Sequence, residues 1–566
     1  MRRSVAFALA GILLGTVTVR LSPLARFLYW GADVGEYFWI LDRLAQTGHV
    51  STAYMGWGVT YPYFPGMFFA QGALIALAPL NVPTVLNLLV PVLGSLVVLP
   101  VYLLAVDLSR DRRAALFAAA FVAVAMPHAY STSHTAPSTL GDPLVFLALL
   151  LFVRLPSDRR SWVPGLLVLG ALITTHHLST YFFIVMALLA LFLPGIMKAG
   201  PSPGSHRQVA FLGIVLAGTF AYWLGYATTF RDGILRDVNV SPWWLILAAF
   251  PVALGGMAAL VRLRRRLPWR YRPRYPSARR TVAVYAGTLA FVVAVPAVAV
   301  VAGVPGTSIR LSGAVLVYFA PLYALLALAA AGRRFMDFNR GGDLPTGAAL
   351  GLALSAALGA IAAPHVIITY RHVEYLIVPV GILAGVGLFR FLDVARPASG
   401  TKAAVLGVTG GLLLVASLSA IPPSEIFAGW QEGSVPQAVD AAYWSRLHVE
   451  GLLAADHRAS TLAFGFGSTD GTWDATRSPF LAETFTDARS GLLGVRSPSG
   501  VRDVGYVWID RDTERGVQLY PWETALAMTP AAVAKFSDSP FLKVYDGGYA
   551  RIYWIAWGCE APTASC

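Results

Sequence analysis

Charge is scarce in this chain. Asp, Glu, Lys and Arg make up 13% of its 566 residues, about half the ~25% usual in soluble domains. Cysteine is scarcer still: only Cys559 and Cys566, both at the C-terminal end. Two residues so placed build neither a thiolate metal site nor a disulfide framework. One bridge between them, in an oxidising compartment, is the most they allow. What fills the chain instead is apolar, 56% of it. A soluble protein could not hide that much apolar surface. The apolar residues also come in blocks close to the ~20 that cross a bilayer.

Thirteen spans are expected, at 4–20, 83–106, 114–127, 143–155, 163–177, 179–197, 209–228, 243–261, 281–303, 312–331, 346–363, 373–391 and 403–421. The first could also be read as a cleavable signal sequence, but small-x-small cleavage residues are not evident after it. A compositional break follows at Pro422-Pro423, after which Asp, Glu, Ser and Thr become common. The expected fold is therefore a polytopic α-helical membrane domain, 1–421, with a soluble domain, 422–566. That domain reads as α/β: a helical segment over Val435–Ala455, then alternating strands at 504–510, 542–545 and 550–554.

The net charge of +13 does not indicate nucleic acid, because the basic residues sit in short loops between apolar blocks. With the N-terminus inside, 25 of them fall on the cytoplasmic side and 7 in the outward loops before residue 422. The positive-inside rule then fixes the orientation, and an odd number of spans puts the C-terminal domain outside. The loop Arg262–Arg280 carries nine arginines; it reads as a topology determinant that can touch anionic headgroups.

Candidate chemistry gathers on the outer side, where ionisable groups near lipid are costly and point to function. The long first outer loop, 21–82, contains Gly31-Ala32-Asp33-Val34-Gly35-Glu36-Tyr37-Phe38. Asp33 and Glu36 are three apart, so one helical turn places both on one face. Such carboxylates serve as general bases or divalent-metal ligands; the bland alternative is an interfacial helix capped by Asp33. His134 and Asp142 lie in the second outer loop, where Asp142 could simply cap span four. His176 and His177 form the tip between spans five and six, and Arg310 follows span nine. The segment Tyr370-Arg371-His372-Val373-Glu374 opens span twelve. A guanidinium at that mouth suits a phosphate, since its planar fork binds two oxygens, whereas the alternative is a snorkelling arginine.

In layout and in these motifs the chain resembles the GT-C superfamily of polyprenyl-phosphate-dependent glycosyltransferases, and in particular the catalytic subunit of oligosaccharyltransferases and its archaeal and bacterial relatives. The resemblance implies that Asp33 takes the catalytic or metal-binding place of the first-loop acidic motif, with Glu36 assisting. It implies that Arg371, with Tyr370, His372, His176, His177 and Arg310 around it, contacts the lipid-linked phosphate. A divalent metal, Mg or Mn, would be held by Asp33, Asp142 and His134. The sequence departs from the oligosaccharyltransferase pattern in three places. Loop two has one Asp instead of an acidic pair, the loop Gly303–Gly313 is short and lacks Glu, and no WWDYG signature is present. The expectation is a multi-pass cell-membrane enzyme moving a sugar from a polyprenyl-phosphate donor to a glycan, lipid or protein acceptor on the outer face. Oligosaccharyltransferase-type N-glycosylation is the first alternative. A lipid-linked substrate transporter or a non-catalytic envelope assembly protein is the second.

Overall fold

The computed structural model describes residues 3–198, 206–238, 255–263, 266, 273–304, 307–339, 342–362, 369–426, 428–473, 476–497, 499–520 and 523–558. Cys559 and Cys566 lie outside the described residues. So does most of the expected span 243–261.

Eight described helices are long and apolar enough to cross a membrane. They begin at Arg3, Val82, Pro137, His206, Ala278, Asp343, Arg371 and Ser399, and each overlaps an expected span. Four other expected spans take different forms. Arg112–Val124 and Trp162–Thr175 are helices of 13 and 14 residues. His177–Lys198 is a longer helix with a shorter apolar stretch. Residues 312–331 break into short helices at Ala314–Tyr318, Ala320–Leu326 and Leu328–Met336. The loop expected over 21–82 also holds an apolar helix, Gly66–Leu77. Its 12 residues are too few to register as a span, which is why it reads as loop in the sequence.

The C-terminal region carries a two-stranded hairpin, β5 Val495–Ser497 with β6 Gly500–Arg502. It also carries a mixed five-stranded sheet in the order β4 Gly471–Thr472, β3 Leu452–Ala454, β7 Val504–Asp510, β9 Ala550–Ile555, β8 Phe541–Asp546. Strand β3 runs parallel to β4 and β7, while β9 is antiparallel to β7 and β8. The helix expected over Val435–Ala455 stops at His448. Gly451 turns the chain at φ +125°, and the next three residues are all buried and enter the sheet. A second helix, His457–Gly467, follows, capped by the Asp456 side chain, which accepts from the Ala459 amide.

One apolar cluster joins the two halves of the chain. It contains Val34, Tyr37, Ile40, Leu41 and Leu44 of the first-loop helix Val34–Thr47, together with Leu462, Phe466, Trp508 and Ile552 of the C-terminal region. Burying a side chain of this size contributes about 1.5–3 kcal/mol, so the apolar face of the first-loop helix is packed into the fold against the C-terminal region. The crossing is tight. A Cβ on Gly35 would fall 1.9 Å from the Thr461 carbonyl oxygen, and one on Gly465 would fall 2.1 Å from that of Gly35. Only glycine permits backbones to approach this closely.

Candidate active site at the seam of the first loop and the C-terminal domain

The chain enters the site as a short strand. Tyr29–Trp30 (β1) pairs antiparallel with Gly433–Ser434 (β2). Gly31 follows at φ +133°, a conformation L side chains avoid, and this turn delivers Asp33 to the start of the first-loop helix. The turn is clamped by the C-terminal region. The Gly31 amide donates to the Glu432 carbonyl at 3.1 Å, and the Ala32 amide to Glu432 Oε2 at 2.6 Å. The Ala32 carbonyl accepts from the Thr461 hydroxyl at 2.7 Å.

Asp33 occupies the N-cap position without making a side-chain cap bond. Its carboxylate faces outward from the helix. Oδ1 accepts from Nε2 of His457 at 2.8 Å, and Oδ2 accepts from the Tyr61 hydroxyl at 2.9 Å. Burial works against the charge of Asp33, but the His457 bond and charge, the Tyr61 bond and the charge of Arg371 outweigh it and hold the carboxyl below its ordinary range. His457 is displaced the other way: burial lowers it, and Asp33, Asp456 and Glu432 together raise it. A third of the Asp33 side chain stays open to solvent.

Glu36 behaves differently. It is 1% exposed, and one oxygen accepts from the Gly58 amide at 3.3 Å. Burial, then the nearby charge of Asp33, pushes it up to about 8. At neutral pH Glu36 is protonated, while Asp33 is ionised. Two carboxyls one turn apart have had their acidities driven in opposite directions, a pattern that separates roles in acid–base sites. A neutral, enclosed Glu36 is no base for an acceptor hydroxyl. It fastens the Gly56-Trp57-Gly58 loop, whose Trp57 indole donates to the Gly471 carbonyl at 2.9 Å.

Arg371 stands at the start of its span with 29% of its side chain exposed. Its Nη1 is 3.5 Å from the Ser131 hydroxyl and 3.6 Å from Glu374. Its charge acts on Asp33, Asp142, His134 and His176.

The other expected contacts divide. His176 lies within the field of Arg371 and bonds Ser179 at 2.7 Å, which in turn meets the Tyr375 hydroxyl at 2.6 Å. His177 instead packs between Phe64 and Phe230. His372 is a correction. One residue along the helix turns it by about 100°, and it is buried against Phe182 with Nε2 2.8 Å from the Ser355 hydroxyl. It therefore serves helix packing. Arg310 is likewise corrected: it is exposed in the turn after helix Ala278–Ala302, beside Gly303, and does not join the site. The side chain of Tyr370 lies outside the described residues.

Asp142 sits inside the helix Pro137–Arg154, not at its cap, because that helix begins six residues before the expected span. It is buried, with Oδ2 3.2 Å from Nε2 of His128. His134 lies tilted against Trp30 and edge-on to Tyr130, with Nε2 3.9 Å from Glu432. Asp33, Asp142 and His134 are thus each held by a different partner. Among the described residues no three His, Cys, Asp or Glu side chains converge in a metal-holding group. The arrangement does not fit one divalent ion shared by these three.

Two contributors are illegible in the sequence. Arg20, which reads as an outward-loop cation, is buried: it donates to Thr132 Oγ1 at 2.8 Å and to the Ala123 carbonyl at 3.1 Å, and lies 3.1 Å from His128 Nδ1. It braces the segment that presents Ser131 to Arg371. The second is His457. Its only local signal is Asp456-His457-Arg458 opening an apolar helix.

No family model matches the chain, and no curated protein does. Solved structures do. The oligosaccharyltransferase of Archaeoglobus fulgidus in its apo form aligns with 91% of this chain and 70% of its own, at TM-score 0.53 and 13% identity. The same organism's AglB, solved with an inhibitory peptide and a dolichol-phosphate, aligns over the same shares at TM-score 0.52 and 14% identity. The chain shares the overall fold of these two structures. At that identity the likeness concerns the architecture alone, a helical membrane domain with an added sheet-containing C-terminal region. The expected fold class is met.

Proposed function

We propose that this chain is an integral membrane glycosyltransferase that moves a sugar from a polyprenyl-phosphate-linked donor to an acceptor hydroxyl at the outer face of the membrane. The observation that carries the reading is an Asp33 carboxylate held by His457 and Tyr61, with the partly exposed guanidinium of Arg371 near enough for its charge to favour the ionised form.

Arg371 binds the donor phosphate and neutralises the charge that builds on it as the bond to the sugar breaks. Asp33 Oδ2 orients the acceptor hydroxyl and takes its proton. The acceptor oxygen attacks the anomeric carbon from the face opposite the phosphate. The new C–O bond forms as the old one breaks, the electron pair leaves with the phosphate, and configuration inverts. Phosphate leaves readily once its charge is neutralised, so the protein mainly supplies position and electrostatic stabilisation.

Protein N-glycosylation is a second reading, favoured by the likeness to AglB. The short loop Gly303–Gly313 and the lack of a WWDYG segment weigh against it. Purified protein in proteoliposomes is offered a panel of undecaprenyl-phosphate-linked hexoses and pentoses, with membrane extract or an Asn-x-Thr peptide as acceptor. The proposal expects release of undecaprenyl phosphate with the extract. Release only with the peptide favours the second reading, and release from no donor overturns both.

A further inference from the structure

We propose that the C-terminal domain completes the active site by supplying His457 as the positioning residue for Asp33. The inference rests on the functional reading above, which makes Asp33 the group that meets the acceptor. It adds that the region after residue 422 is part of the catalytic apparatus.

The geometry is specific. A carboxylate on a mobile loop rotates about its own χ angles, and a misplacement of about 1 Å can cost on the order of 10²-fold in rate. Asp33 is fixed at both oxygens: His457 Nε2 on Oδ1 and the Tyr61 hydroxyl on Oδ2. The imidazole takes Oδ1, so Oδ2 is the oxygen offered to an acceptor; there it accepts from the Tyr61 hydroxyl at 2.9 Å and lies 3.5 Å from the Tyr37 hydroxyl, contacts that a substrate hydroxyl would share or displace. The imidazole is fixed in its turn. It begins a helix capped by Asp456, its amide donates to the Gln518 carbonyl at 2.7 Å, and its ring lies between Trp473 at 4.5 Å and Trp430 at 5.7 Å. The adjacent Arg458 is buried on Asp510 at 2.7 Å, anchoring the first turn of the helix to β7. The same helix contributes Thr461 and Gly465 to the crossing with the first-loop helix. One element therefore docks the domain and aims the carboxylate.

Two substitutions separate positioning from packing. His457→Gln keeps an N–H at about the reach of Nε2 and loses the ring. His457→Phe keeps a ring between the two tryptophans and loses the N–H. Both are assayed as release of undecaprenyl phosphate in proteoliposomes from the panel donor that wild type turns over. Undecaprenyl phosphate binding is measured separately. The proposal expects H457F to lose on the order of 10²-fold in kcat with KM for the donor unchanged, and H457Q to recover most of it. In a D33N background, H457F should cost nothing further, because the proton acceptor that His457 aims is gone. An active H457F beside an inactive H457Q shows a packing role and overturns the inference, as does an H457F loss that multiplies with D33N. Failure of the functional reading looks different: Arg371→Ala would leave undecaprenyl phosphate binding intact.

Discussion

Nε2 of His457 lies 2.8 Å from Oδ1 of Asp33, across 424 residues of sequence. That bond places an ionised, partly exposed carboxylate on the seam between membrane domain and C-terminal domain. The consequences can be measured one at a time.

The first concerns Arg371. If it holds the donor phosphate, Arg371→Ala should weaken undecaprenyl phosphate binding by about ten- to a hundredfold, the equivalent of one lost charge-assisted contact of ~1.5–3 kcal/mol. Arg371→Lys should recover only part, since an ammonium cannot reproduce the two-pronged contact. Binding measured by microscale thermophoresis in detergent checks both. Equal affinity of wild type and R371A would rule out the assignment.

Glu36 gives a prediction in pH. Its folded-state acidity is pushed from an ordinary 4.5 up to about 8 by burial and by Asp33. A folded pKa above the unfolded one means the folded form holds the proton more tightly. The stabilisation is complete below about pH 4.5 and is lost as pH rises through about 8. Melting temperature should therefore fall between pH 6 and 9 in the wild type. Glu36→Gln, neutral throughout, should flatten that decline while keeping the acceptor for the Gly58 amide. A parallel decline in both proteins would show that another group is responsible.

Gly35→Ala tests the docking of the two halves. Its Cβ would meet the Thr461 backbone at 1.9 Å, and backbone cannot step aside as a flexible side chain can. Overpacking of this kind costs about 1–3 kcal/mol, so G35A should melt lower and release the C-terminal domain more readily to limited proteolysis. Gly15→Ala, where nothing lies within 4 Å, should change neither property.

The legible part of this protein was the part encoded by residue type and by side of the membrane. Span length and the distribution of arginines arranged Asp33, Glu36, Asp142 and Arg371 on one expected face, and in the structure Arg371 does act on Asp33 and Asp142. Roles within that group were not legible. Asp33 and Glu36 look equivalent in a D-x-x-E spacing, and only burial distinguishes the partly exposed carboxylate from the enclosed one. His372 looked as good as Arg371 because one position of helix rotation is invisible until neighbouring helices are placed. Arg20 counted as a loop cation because its acceptors, Thr132 and the Ala123 carbonyl, come from distant segments. His457 was least visible: its role exists only once the first-loop helix and the His457 helix cross at Gly35 and Gly465.

The most direct test of the account is turnover by Asp33→Asn. Asparagine keeps the shape and an acceptor oxygen for His457 but cannot take a proton. The account predicts that D33N binds undecaprenyl phosphate like the wild type and releases it from the lipid-linked sugar at least ~10²-fold more slowly. Release at the wild-type rate would contradict it.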